Sequence, residues 1–347
     1  MFAAALLPLL LQVLPAVDPG QEPGAPHPGR LVVLNKSEAT ASLIDLATGE
    51  VVATLDTGDG PHEVAVHPDG RWAVAADYGG PQAGSTLSVL DLQEGERARV
   101  IELGEAVRPH GLVFEPDGRS LWLTAEVKQQ LWKVDFEKGE VLARATTGQR
   151  ASHMVARHRS GRLFVANIGS DNVTPVEADG TVLDPIPTGA GAEGIAVTPD
   201  GRQLWVTNRA ADTVSVIAPD TLKPLKELAC ASFPIRVAIT PDSRLALVSC
   251  ARSGEVAVYR TRDFALLGRI KIERSAADEG EERLFGDQFG ESPVPIGIAI
   301  AADSQRAWVA CAGADVIAEL DLADRKVVRF LKAGKEPDGI AWVEVGP

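Results

Sequence analysis

"GIAVTPDGRQLWVTN", Gly194–Asn208, reads as an apolar strand, a Pro-Asp-Gly-Arg turn whose glycine accepts positive φ, and a second apolar strand that stops at an asparagine. The continuation "TVSVIAPDTLKPLKELA", Thr213–Ala229, adds two shorter strands around a Pro/Asp turn. Four antiparallel strands in roughly 40 residues are the content of one β-propeller blade. No apolar period of 3.6 runs long enough to compete with this reading.

The same unit recurs along the 347-residue chain. The turn, or a relic of it, begins at Pro68, Pro116, Arg159, Pro199, Pro241 and Ala302. The residue that enters the first strand of each copy is His62, His110, His153, Glu193, Ile235, Ile296 and, in "PDGIAWV", Asp338. The spacings along this column are 48, 43, 40, 42, 61 and 42 residues, so seven copies with two insertions are predicted. Leu31–Leu55 matches the last three strands of a copy, and Pro337–Val343 only the first. Together they complete a blade and leave neither end as an unpaired sheet edge. The expected fold is therefore all-β, a seven-bladed β-propeller over residues 30–347, its last blade closed by N-terminal strands plus the C-terminal strand.

"LWVTN" at Leu204–Asn208, "LFVAN" at Leu163–Asn167 and "LVVLN" at Leu31–Asn35, each followed by a segment like "TVSVI", resemble the YVTN-type β-propeller repeat. The resemblance covers nearly the whole chain after residue 30 and implies the fold. For function it implies only a choice among surface-layer proteins, a periplasmic DNA-binding protein, lactonase-like enzymes and electron-transfer subunits. Acidic residues outnumber basic ones, 48 against 34, for a net charge of −14 without a basic run, which disfavours nucleic acid as a partner.

The opening "MFAAALLPLLLQVLPAV", residues 1–17, reads as a secretory signal, and 18–29 as a flexible leader; a periplasmic or secreted protein is expected. No later apolar run reaches the length of a membrane-spanning helix, and a monomer is expected. Three cysteines, Cys230, Cys250 and Cys311, are too few for a disulfide scaffold.

Chemistry concentrates in the first-strand column, which should line the mouth of the central channel. With six histidines in the chain, chance would place about 0.1 in such a column, yet it holds three in consecutive copies. Neutral imidazole is the commonest ligand for Zn, Cu or Fe, and carboxylates complete such sites. His62, His110 and His153, with Glu193 and Asp338, are thus the candidate ligands of a divalent transition metal. Ile235 and Ile296 form an apolar arc opposite. A polar rim without metal is the plainer alternative.

Arg236, the residue after the column in the fifth copy, is a candidate for binding a substrate carboxylate, against the plainer reading of an inter-blade salt bridge. His67 and His158 fall near the turns and are expected at the surface, with His27 in the leader. The insertion at 273–295 faces the mouth and suggests a lid, in which Arg283, Asp287 and Phe289 are candidate substrate contacts. The expected function is binding or transformation of a small molecule at this metal site, with hydrolase, lyase and oxidoreductase chemistry all open. The alternative is a protein-interaction scaffold or an electron-transfer partner without metal.

Overall fold

The computed structural model describes residues 27–274 and 286–344. The segment read as a secretory signal lies outside these residues. Seven four-stranded antiparallel sheets follow one another. In chain order, blades 1 to 6 occupy residues 61–102, 109–146, 152–187, 192–229, 234–271 and 295–332; blade 7 joins residues 337–343 to 30–56. In blade 7, Pro337–Val343 pairs with Arg30–Asn35, with Val32 opposite Ala341. The predicted closure is therefore the one found. No α-helix occurs among the described residues, only three single 3-10 turns, and no helix is long and apolar enough to cross a membrane.

The middle strands of each blade are apolar on both faces because neighbouring blades cover both. Val74, Leu87 and Val89 of blade 1 pack with Leu121, Leu123 and Trp132 of blade 2. Leu31 and Val33 of blade 7 meet Trp308 and Ala310 of blade 6 on one side, while Val32 and Leu34 meet Ala73 and Leu90 of blade 1 on the other. Trp122, Trp132, Trp205 and Trp308 are fully buried; each removes about 200 Å² from water, worth roughly 5 kcal/mol of transfer free energy. The outer strands face solvent, and in blade 3 the outer strand shrinks to Ile186–Pro187. Pro185 and Pro187 lack the N–H groups that a longer ladder would need.

The asparagine that ends the second strand ties it to the third. Asn35 Nδ2 donates to Thr40 Oγ1 and Ser42 Oγ at 3.0 and 2.9 Å, and Asn208 does the same with Thr213 and Ser215 at 3.0 and 2.9 Å. In blade 1 the position is Asp77, which accepts from Thr86 and Ser88 instead. In the blades that carry it, the asparagine at Asn35, Asn167 or Asn208 thus fixes how the hairpin leaves the channel mouth.

Two turn-end histidines differ from expectation. His158 is buried, its Nε2 3.0 Å from the Gly201 carbonyl of blade 4, and His67 Nε2 lies 3.1 Å from Gly118 O of blade 2. Each links its turn to the turn of the following blade, a role that hydropathy along one repeat does not reveal. His27 is also buried, against Trp308 and Trp342 and 3.0 Å from Asp303, so the chain is already anchored before residue 30.

Candidate metal centre at the channel mouth

The inner strands deliver their first residues to the mouth through one repeated backbone device. Two positions before the column, Gly60, Arg108, Ala151, Gly191, Phe233, Val294 and Glu336 all have φ between 50 and 75°. A left-handed residue there turns the chain sharply from the outer strand of one blade into the inner strand of the next. From most of these residues the carbonyl accepts a backbone N–H just past the second strand of the same blade: Glu336 O from Lys36, Arg108 O from Glu126, Ala151 O from Ile168, Gly191 O from Arg209, Phe233 O from Ala251, Val294 O from Ala312.

In six blades this bond marks a second ring of residues outside the first, which Tyr78 joins in blade 1 by position alone. The first ring, Asp338, His62, His110, His153, Glu193, Ile235 and Ile296, is buried throughout. The second ring is Lys36, Tyr78, Glu126, Ile168, Arg209, Ala251 and Ala312. Its members above the polar half are partly exposed, whereas Ala251 and Ala312 are buried. Ala251 and Ala312 join Phe233, Ile235, Val294, Ile296 and Phe289 in one apolar cluster. The mouth is polar on one side and apolar on the other, as its first-strand column implies.

Three first-ring histidines converge. One ring nitrogen from each of His62, His110 and His153 lies within 4.8 Å of the others, and all three side chains are buried. The His110 and His153 rings are 3.6 Å apart between centroids, and His62 meets His110 edge-on at 4.4 Å. Neither nitrogen of His110 has a hydrogen-bond partner, nor does Nδ1 of His153. His62 Nδ1 lies 2.5 Å from Asp338 Oδ2, without the alignment of a hydrogen bond. Burial holds the His62 imidazole at about 4 against the pull of Asp338, and keeps His110 and His153 well below the ordinary histidine value. All three are therefore neutral near pH 7 and able to offer lone pairs.

The histidine backbones are held from neighbouring blades. Thr124 Oγ1 donates to His153 O, and the Gly111 N–H donates to Thr124 Oγ1. Gly111 itself must be small: a Cβ there would sit 2.7 Å from Val155 N and 2.8 Å from Met154 Cα. Gly339 makes the same close approach to the His62 carbonyl.

Of the other predicted site residues, Asp338 comes to the trio beside His62. Glu193 is engaged elsewhere: Oε1 meets Arg236 at 2.8 Å and Oε2 meets Arg209 at 2.8 Å. Arg236 forms the inter-blade salt bridge rather than an open carboxylate clamp, reaching across the channel to Glu63 Oε1 at 2.6 Å. Burial, opposed by Arg236, pushes Glu63 up to about 7. Phe289, in the turn Gly286–Phe289, packs 4.9 Å from Phe233 and covers the Ile235–Ile296 arc. Asp287 falls in the same turn; Arg283 lies outside the described residues. Cys230 and Cys250 are buried with their sulfurs 3.8 Å apart, and Cys311 is buried without either.

Sequence reading missed the second ring. Tyr78 lies 4.8 Å from His62 at a tilt and meets His110 edge-on at 5.2 Å, and its hydroxyl donates to Glu126 with both carboxylate oxygens at 3.2 Å. Glu126 Oε2 is 3.9 Å from His153 Nε2. Lys36 and Arg108 lie over the Tyr78 ring, 5.5 and 4.7 Å from its centroid. Burial lowers the Lys36 ammonium and raises the Glu126 carboxyl from their ordinary values. The available signal was positional: these residues follow the strand-ending asparagine column by one.

Fold and site together meet the comparisons with known proteins. Residues 35–273 match the family described as "Lactonase, 7-bladed beta-propeller", and the chain belongs to that family. It is similar to the protein YncE of Escherichia coli O157:H7, with 21% identity over 68% of this chain and 72% of that protein. In YncE of Escherichia coli K12 the match spans about half of the relative, 53% of its length at 21% identity and 49% of this chain. A Pseudomonas aeruginosa protein named dihydro-heme d1 dehydrogenase is 26% identical over 58% of this chain and 42% of its own length. Among solved structures, a functionally unknown protein from Desulfotomaculum acetoxidans DSM 771 superposes with a TM-score of 0.73 at 15% identity, covering 92% of this chain and all (100%) of that one; that likeness is one of fold.

Proposed function

We propose that this chain is an exported seven-bladed propeller whose His62, His110 and His153 hold one divalent transition metal, Zn, Cu or Fe, at the channel mouth, where a small molecule is bound or transformed. The observation that supports it is the convergence of three buried imidazoles, one ring nitrogen of each within 4.8 Å of the others, with nitrogens of His110 and His153 left without a hydrogen-bond partner. A buried polar atom without a partner costs about 1–3 kcal/mol, and an ion shared among the three would remove that cost several times over. Asp338 beside His62 Nδ1 leaves Nε2 for the metal and raises the basicity of the ring, the usual role of a carboxylate behind a metal-bound histidine. A metal bound there would supply Lewis acidity to a small molecule that enters its coordination shell. The chain's own contribution is a rigid donor set, a dry apolar wall under Phe289, and a polar wall carrying Lys36, Tyr78 and Glu126.

Elemental analysis after reconstitution tests this. Wild type is expected to carry about one equivalent of metal, His110→Ala a small fraction of that with its β-sheet spectrum intact, and Arg262→Ala, on an exposed turn of the opposite face, the wild-type amount. Less than about a tenth of an equivalent in wild type would favour the scaffold or electron-transfer alternative.

A further inference from the structure

We propose that Glu126 is the carboxylate ligand of the metal at the histidine trio, and that Tyr78 is the positioning residue that aims it. This rests on the metal reading above and adds the fourth donor, from a residue outside the first-strand column.

Four buried or half-buried carboxylates surround the trio, and three are committed. Glu63 is bound by Arg236. Glu193 is shared between Arg236 and Arg209. Asp338 lies against the rear nitrogen of His62, so it acts from behind a ligand. Glu126 has no ammonium or guanidinium within ion-pair distance among the described residues; its one charged-type contact is His153 Nε2 at 3.9 Å.

Distance agrees with shared coordination. Two donors each about 2.1 Å from one ion are about 3.4 Å apart in tetrahedral geometry and at most about 4.2 Å apart. With His153 coordinating through Nε2, the Glu126–His153 separation of 3.9 Å lies inside that span. The trio's own limit of 4.8 Å needs to close by only about half an ångström to do the same.

Orientation is fixed by Tyr78. Its ring packs on His62 and His110, and its hydroxyl meets both Glu126 oxygens at 3.2 Å, so one side chain references the carboxylate to two of the imidazoles. The backbone bond from the Glu126 N–H to Arg108 O anchors the other end. Arg108 stands two residues before His110, so the bond ties Glu126 to the turn that delivers this histidine. Three neutral imidazoles and one carboxylate make a nitrogen-rich, singly charged donor set, suited to Fe(II), Zn(II) or Mn(II) and poorly matched to Cu(I).

Titration of the purified full chain with Co(II), read by its d–d absorption, tests the assignment. In wild type one Co(II) is expected to bind. Glu126→Gln should weaken that binding by about 100-fold and alter the spectrum; Tyr78→Phe should weaken it by about 10-fold with the spectrum retained, as for a residue that orients a ligand. Glu126→Asp should recover part of the affinity lost in Glu126→Gln, which separates a missing donor from a damaged fold. Glu137→Gln, a solvent-exposed carboxylate in the outer hairpin turn of blade 2, should stay within twofold of wild type, about the scatter of such surface changes. Wild-type binding with unchanged affinity and spectrum in Glu126→Gln overturns the Glu126 assignment and leaves the trio standing. No binding in wild type overturns the metal reading itself.

Discussion

Thr124 and His153 belong to different blades, yet the Thr124 hydroxyl holds the His153 carbonyl at 2.5 Å while accepting the Gly111 N–H at 2.8 Å. One hydroxyl therefore sets the spacing between the inner strands that carry His110 and His153. The same geometry recurs at Thr207, between Gly194 N and Ile235 O, and at Ser249, between Arg236 N and Ile296 O. Thr124→Val keeps the volume and removes the bond. It is expected to cost about 1–3 kcal/mol, because the buried carbonyl and amide lose their partner, and to weaken metal uptake more than Thr207→Val does. Equal effects of the two on metal uptake would detach blade spacing from the site.

Gly111→Ala should be destabilising by about 1–3 kcal/mol, since the added methyl meets backbone atoms of the next blade that cannot rotate away. Calorimetry checks this, with Gly148→Ala a poor comparison because its φ is left-handed and Lys226→Ala a suitable exposed one.

Ala151 holds a left-handed φ of 51° directly before the Ser152–Arg157 strand. Ala151→Gly relieves that conformation and is expected to leave stability unchanged or raise it by up to about 1 kcal/mol, the unfolded-chain entropy opposing the gain. A loss of stability larger than that would show that the methyl group is needed for packing.

In metal-free protein the three imidazoles stay neutral, His62 to about 4, whereas in the unfolded chain they take up protons near 6.5. Their stabilisation is complete above the unfolded value and is lost as pH falls toward the folded one. His62 alone accounts for roughly 3 kcal/mol over that interval. Glu63 runs in the opposite direction: with its folded value near 7, its contribution is complete below 4.5 and fades as pH rises through 7. Glu126 and Asp77, also raised by burial, act in the direction of Glu63, but the displacements of the three histidines are the larger, so the melting temperature of chelator-treated protein should fall between pH 6.5 and 4.5, and bound metal should delay the fall. A flat profile would mean that the mouth admits water to the imidazoles.

Phe289→Ala should leave the blades folded, since its contacts are with the mouth cluster of Phe233, Ile235 and Ile296, and should lower the affinity for small molecules that reach the apolar arc. Retained binding would assign the segment at 286–289 to packing alone.

The repeat made the propeller legible because each blade repeats one hydrophobic and turn pattern, and the missing first strand of the Leu31–Leu55 unit pointed to closure by Pro337–Val343. The histidine column was legible for the same reason: alignment on the turn brings His62, His110 and His153 to one position. Glu126 and Tyr78 were hidden because they lie past a strand end, where no periodicity marks a residue as facing inward. Glu193 and Arg236 could be placed at the mouth from their column but not paired, since Arg236 meets Glu63 from the opposite side of the ring. His158 and His67 look solvent-facing within one repeat; only the next blade's turn buries them.

The join between residues 30–35 and 337–343 gives the site a place in time. Val32 finds its partner Ala341 only after about 300 further residues have been made, the kind of long-range pairing that slows folding. Until then blade 7 is three strands with an open inner edge, and His62 stands beside a gap. Asp338 enters with the strand that fills it. The ring and the outer partner of His62 are thus completed by a single late event, so a chain that fails to close would also be one that holds its first imidazole without its carboxylate.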